Sequence, residues 1–166
     1  EALGRAFLVK ALNVFGAEAA DPRNEHFKDY DAAYRSLDLA FPGSNCAGER
    51  CETPNYAGDV NLFFSQTKTE RGGSIEVLTP GGRILAGLAS TPQNLLDRKD
   101  GAQDGVVDFN EAAAKLGIMT LGGGDIRLVA ADDVLVNQSR VLTVAGGDIL
   151  AWSSFEDIDA GKGKKT

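Results

Sequence analysis

"GDVNLFFSQTKTERGGSIEVLTPGGRILAG", residues 58–87, and "DDVLVNQSRVLTVAGGDILAWSSFEDIDAG", residues 132–161, are two copies of one pattern. Sliding the chain by 74 residues superposes them without a gap. Val60, Ile75 and Ile84 then fall on Val134, Ile149 and Ile158, so steps of 15 and 9 residues recur unchanged. Gly72-Gly73 falls on Gly146-Gly147, Asp59 on Asp133, Ser65 on Ser139, Thr69 on Thr143, Ala86 on Ala160 and Gly87 on Gly161.

The runs "DVNLFF", "SIEVL", "RILAGL", "DIRLVA", "DVLV", "DILAW" and "DIDA" are short, partly alternating and mostly opened by Gly or Asp. That combination reads as strands. A step of 24 residues, from Val60 to Ile84 and again from Val134 to Ile158, suits one circuit of a repeat architecture. In such a stack each strand pairs with its equivalent one circuit away, and side chains alternate between interior and solvent. Val60, Leu62, Phe64, Ile149 and Ala151 are expected to point inward. Leu150 and Trp152 are expected to face out or toward a neighbouring element. Glycine pairs permit corners where φ is positive. A sandwich of short strands is the competing fold, and the repeated register weighs against it. The expected class is therefore mainly β, a parallel β-helix or solenoid, with Val60, Ile75, Ile84, Ile126, Val134, Ile149 and Ile158 buried.

The first 41 residues carry a different period. In "EHFKDYDAAYRSLDLAF", residues 25–41, Phe27, Tyr30, Tyr34, Leu37 and Phe41 step by three and four. They share one helix face, with Lys28, Asp31, Arg35 and Asp38 turned away. Pro22 and Asn24 supply start signals and Pro42-Gly43 a stop. An earlier helix over residues 3–17 carries Leu3, Phe7, Ala11, Val14 and Phe15 on its apolar side. The expected organisation is a helical segment at 1–45, a cysteine-containing loop at 46–57, and circuits over 58–166 interrupted by a helical, acidic insert at about 91–117.

The net charge of −7 and pI near 4.7 argue against nucleic acid and against anionic membrane surfaces. Lys162, Lys164 and Lys165 read as a solvated tail. The opening stretch is apolar but contains Arg5 and Lys10 and is short for a membrane span. No signal peptide is visible, no Met opens the chain, and its ends have the look of a piece of something larger. Cys46 and Cys51, in "CAGERC", fit a small disulfide loop in an oxidising compartment. The alternative is a pair of reduced thiols in a cytosolic loop; a zinc site lacks further ligands, His26 being the single histidine.

"DGAQDGVVDFNE", residues 100–111, has the length of an EF-hand calcium loop. Asp100, Asp104, the Val106 carbonyl, Asp108 and Glu111 take positions 1, 5, 7, 9 and 12, with Gly105 at the sharp turn. A hard cation of coordination six to eight needs this many oxygens. Ala102 removes one ligand and points to weak affinity. The bland counterpart is a solvated acidic loop whose Asp108 caps a short helix.

For catalysis the residues offer little. No nucleophile-elbow, zincin or phosphate-loop motif is present, and His26 reads as an exposed helix residue. Asp133, Asp157 and Asp159 with Arg140 could line one face as a polysaccharide-cleaving set. Asp at the start of a strand more ordinarily caps and turns. The expectation is that the chain is not an enzyme.

"GDVNLFFSQTKTERGGSIEVLTPGG", "VLVNQSRVLTVAGGDILAWSS" and "DIDAGKGKKT" closely resemble the C-terminal region of filamentous-haemagglutinin-like exoproteins, over roughly residues 25–166. The resemblance implies a right-handed β-helix shaft in a very large secreted bacterial surface protein, exported by two-partner secretion through an outer-membrane transporter. It implies adhesion or biofilm roles, with host or neighbouring cells, their glycans and other filaments as partners. The acidic insert at 97–111 and the "CAGERC" loop lie outside the family's pattern.

Overall fold

The computed structural model describes residues 2–46, 49–63, 65–87 and 116–161. Among these residues two helices, α1 (Ala2–Ala20) and α2 (Asp31–Ala40), precede ten strands. The strands are β1 (Val60–Asn61), β2 (Gln66–Thr69), β3 (Ile75–Thr79), β4 (Ile84–Leu85), β5 (Gly117–Thr120), β6 (Ile126–Ala130), β7 (Val134–Leu135), β8 (Arg140–Thr143), β9 (Ile149–Ser153) and β10 (Ile158–Asp159).

Every strand pair is parallel, and the strands form three sheets ordered β1-β4-β7-β10, β2-β5-β8 and β3-β6-β9. The chain thus visits each sheet in turn and returns one rung higher. We call β1–β3, β4–β6 and β7–β9 the first, second and third tiers. Val60, Ile84, Val134 and Ile158 are in register, as are Ile75, Ile126 and Ile149. The 74-residue self-match lays the first tier on the third. The second tier, unmatched in that alignment, carries residues 88–115 between β4 and β5.

Its copy of the repeat was nevertheless in the sequence. "TLGGGDI" at 120–126 matches "TVAGGDI" at 143–149 with a shift of 23.

Alternation along the strands builds two cores. Ile75, Ile84, Ala86, Ile118, Ile126, Leu128, Ala130 and Val134 fill the space between the sheets, with Val60, Leu62, Val77, Val141 and Ala151 against them. The opposite face of β3-β6-β9 presents Leu78, Val129 and Trp152 to the helices, where they meet Leu12, Phe15, Ala33, Tyr34, Leu37 and Phe41. A sheet covered on both faces blurs the period-two signal into runs such as "IRLVA". Trp152 does turn outward, onto the helices. Tyr34 and Tyr30 meet its ring edge-on at 5.2 and 5.8 Å, and Tyr34 donates to the Ser154 carbonyl at 2.9 Å.

Three expectations need correction. Ile149 and Ile158 point inward but are 48% and 51% exposed, because among the described residues no tier covers them, and Val60 at the other end is only partly buried. On α1 the buried side is Val9, Leu12, Gly16 and Ala19, while Phe7 is 70% and Val14 49% exposed. That helix is apolar around much of its circumference, so periodicity alone misplaced Phe7 and Val14, while Phe15 packs as expected. Close packing decides it at Gly16, where a Cβ would sit 3.3 Å from the Trp152 ring. Helix α2 begins at Asp31, six residues later than the pattern from Glu25 implied. Asn24 and Asp29 side chains accept the His26 and Asp31 amides at 2.9 and 3.2 Å, and Lys28 has φ +66°. These Asx turns hold Phe27 and His26 outside the helix. Phe64, expected inside with Val60 and Leu62, lies outside the described residues.

Candidate functional site

The repeated Asp and Ser residues just before the strands form ladders. Asp59 Oδ1 accepts the Arg83 amide at 3.0 Å, and Asp133 Oδ1 accepts the Asp157 amide at 3.3 Å, each 24 residues ahead. On the next corner, Ser74 Oγ accepts the Asp125 amide at 3.1 Å and Asp125 Oδ1 accepts the Asp148 amide at 3.1 Å. Each side chain caps the N–H entering the strand one tier up, which explains the Asp-Ile spelling. A second lock closes the corner before it. Thr69, Thr120 and Thr143 donate their hydroxyls to the carbonyls of Gly73, Gly124 and Gly147 at 3.0, 2.8 and 3.0 Å.

The second glycine of each pair takes a positive φ, and at Gly124 and Gly147 glycine is required by close approach as well. Gly73, Gly124 and Gly147 have φ of +103°, +124° and +129°. A Cβ at Gly147 would run into the Gly124 carbonyl, and one at Gly124 into that of Gly73. Backbone stacks on backbone here.

These ladders use the aspartates of the polysaccharide-cleaving arrangement. Asp133 caps Asp157, and Asp159 Oδ1 accepts the Gly161 amide at 2.7 Å. Arg140 opens β8, in a different sheet from Asp133 and Asp157. The arrangement does what strand-capping aspartates do. Arg83 also pairs with Asp59 through Nε–Oδ2 at 3.0 Å; the Arg83 amide first, and its guanidinium second, hold the Asp59 carboxyl below the usual range.

Two surfaces lie away from these ladders. The first is the end of the stack, a groove of about 560 Å³ lined by Leu128, Val134, Val141, Ile149, Ala151 and Ile158 among others. None of the described residues lining it is aromatic. Among the described residues, β8, β9 and β10 each form the last strand of their sheet there.

The second is the cysteine loop. Cys46 and Cys51 are bridged, with Cα atoms 5.1 Å apart, and Cys46 and Glu49 exchange backbone hydrogen bonds at 2.8 and 3.1 Å. Arg50 projects from this loop onto the β6–β7 and β9–β10 corners. It reaches Asp132 and Glu156 at 2.7 Å each and covers the Phe155 ring at 5.0 Å. The Glu156 and Asp132 carboxylates, in that order, raise the Arg50 pKa. Nothing in the spacing of charges along the chain pointed to this contact across 106 residues.

The calcium-loop residues Asp100, Asp104, Val106, Asp108 and Glu111 lie outside the described residues. Among the described residues no cluster of three or more His, Cys, Asp or Glu is arranged to hold a metal, and no helix is long and apolar enough to cross a membrane. Comparison with protein-family models, curated proteins and solved structures finds no match to this chain.

Proposed function

We propose that this chain is a right-handed parallel β-helix segment of a large secreted bacterial surface exoprotein of the filamentous-haemagglutinin-like kind, with a structural and adhesive role and no catalysis. The observation that carries the reading is the strand order, β1-β4-β7-β10, β2-β5-β8 and β3-β6-β9, all parallel. A chain that visits three sheets cyclically and climbs one rung per circuit has the connectivity of a β-helix, and parallel crossovers are right-handed in about 98% of cases. Architecture carries this proposal, since kinship is without a match. The Cys46–Cys51 bridge supports an oxidising, extracellular setting.

A shaft needs surfaces at which tiers continue or filaments meet. The half-exposed Ile149 and Ile158 and the edges of β8, β9 and β10 offer one. The capping duty of Asp133 and Asp125 supports the non-catalytic reading over a polysaccharide lyase or hydrolase. A carbohydrate-binding module on the shaft is the second reading. The end groove, lined by aliphatic side chains with Ser139 and Arg140 and by no aromatic ring among the described residues, disfavours it there, because sugar faces stack on aromatic rings. Calcium in the Asp100–Glu111 loop rests on the sequence alone; calorimetric titration into chelator-treated protein tests it.

The experiment for the main reading displays the chain on beads and measures attachment to epithelial and bacterial cells, alongside a glycan panel and a polysaccharide-degradation assay. Attachment above uncoated beads, without product release, is the expected result. Saturable binding to one glycan class alone moves the chain to the second reading. Release of oligosaccharides, lost in Asp133→Asn, overturns the non-catalytic role.

A further inference from the structure

The disulfide closes a very short loop, so its constraint on the unfolded chain is small. Its consequence is local, at Arg50. The bridge and the paired backbone of Cys46 and Glu49 fix the path of the chain immediately before and after this residue. From there a single guanidinium spans two tiers. Asp132 belongs to the corner that leaves β6, and Glu156 to the equivalent corner that leaves β9. The upper corner rests on the lower through the Ser154 amide on the Ala130 carbonyl, at 3.1 Å, and the Phe155 amide on the Ala131 carbonyl, at 3.0 Å. Asp132 Oδ1 is buried, and Arg50 at 2.7 Å is the cation that answers it.

The need for a cation here is plain from the surrounding charge. Asp132, Asp133, Glu156 and Asp157 gather four carboxylates on two stacked corners. Arg83 reaches toward the first two from the start of β4, the strand paired with β7 in the same sheet. Arg50 is the side chain that joins the two levels. A long arginine on an unconstrained backbone loses much of such a contact to side-chain entropy and to solvent. The closed loop removes part of that cost before the contact forms.

We propose that the Cys46–Cys51 loop is a redox-sensitive latch: closed, it fastens the β6–β7 corner to the β9–β10 corner through Arg50, and opening it releases both. The opening step is thiol–disulfide exchange with a dithiol. The Cys46–Cys51 S–S bond breaks, the dithiol gives two electrons and two protons, two cysteine thiols remain, and the dithiol becomes a disulfide. Release frees the corner beside the open end of the stack, where β10 begins.

Hydrogen exchange of the full chain, read by mass spectrometry before and after treatment with a dithiol, tests the latch. On reduction, the amides of Ala131, Asp132, Ser154 and Phe155 should exchange about tenfold faster, with the amides of β5 and β6 unchanged. Arg50→Ala in the oxidised protein should reproduce the same change, and reductant should then add nothing, since residues acting as one unit are not additive. The proposal is overturned by corner protection that is indifferent to reduction. It is equally overturned by an Arg50→Ala protein that responds to reductant as fully as its parent, or by loss of protection throughout β5 and β6.

Discussion

The second and third tiers are spelled alike and buried differently. Ile126 and Ile149 each follow Gly-Gly-Asp, sit in register and point to the same interior. Ile126 is fully buried and Ile149 is 48% exposed; Ile84 and Ile158 differ in the same way, 0% against 51%. Local sequence sets the direction of these side chains through the strand's period of two. Burial depends on whether another tier lies above. The same distinction separates the first glycine of the Gly73, Gly124 and Gly147 column, with open space before it, from the two that stack on a carbonyl.

The largest test of that distinction is a pair of truncations. Ile126→Ala should cost about 2–5 kcal/mol in urea unfolding, as expected of a large-to-small change in a filled core. Ile149→Ala should cost about 1 kcal/mol, because half of its surface is already in water. Equal costs would mean that the end of the stack is covered in solution, for instance by self-association, and sedimentation would then detect it.

A smaller contrast lies in the glycine column. Both Gly73→Ala and Gly147→Ala place a Cβ where φ is positive, a strain of about 1–3 kcal/mol. Gly147→Ala also drives the new methyl into the Gly124 carbonyl, adding about 1–3 kcal/mol of overpacking. The difference between the two melting temperatures reads the tier contact separately from the backbone conformation.

Smaller again is the aspartate ladder. Asp125→Ala removes the acceptor of the Asp148 amide and the partner of Arg127 at 2.5 Å, and should cost about 1 kcal/mol. Asp148 occupies the next rung, where no described residue lies above it, and Asp148→Ala should be close to neutral. A cost at Asp148 as large as that at Asp125 would break the comparison.

The smallest effect is acidic. Hydrogen bonds from the Arg83 amide and guanidinium lower the Asp59 pKa, so this carboxylate stabilises the folded chain at pH values above its unfolded pKa of about 3.9. That contribution fades as pH falls through the lower folded value. Asp59→Asn should flatten this part of the acid limb of the urea midpoint against pH. Its effect should be slight, because the pair is well exposed.

Much of the β region was legible residue by residue. The 15/9 spacing placed Val60, Ile75 and Ile84 in register with Val134, Ile149 and Ile158, and the Cys46–Cys51 bridge followed from spacing and composition. The helices were half legible. The stripe of Tyr34, Leu37 and Phe41 was sound, but Phe7 and Val14 on α1 were assigned to the wrong side. An almost uniformly apolar helix carries no angular signal, and the volume of the Trp152 ring decided which face could approach. The Asp-Ile spelling was visible as a pattern, whereas its use as a ladder of amide caps needed the tiers in place.

By itself, the sequence determined what short-range chemistry determines. Strand polarity alternates with residue number, glycine pairs tolerate positive φ, and two cysteines five residues apart can close. Tertiary structure alone decided which inward side chains are covered, which face of α1 meets Trp152, and that Arg50 bridges Asp132 and Glu156. Those outcomes depend on atoms far apart in the chain, whose meeting is fixed by stacking register and by side-chain volume, and neither quantity is written in any local stretch.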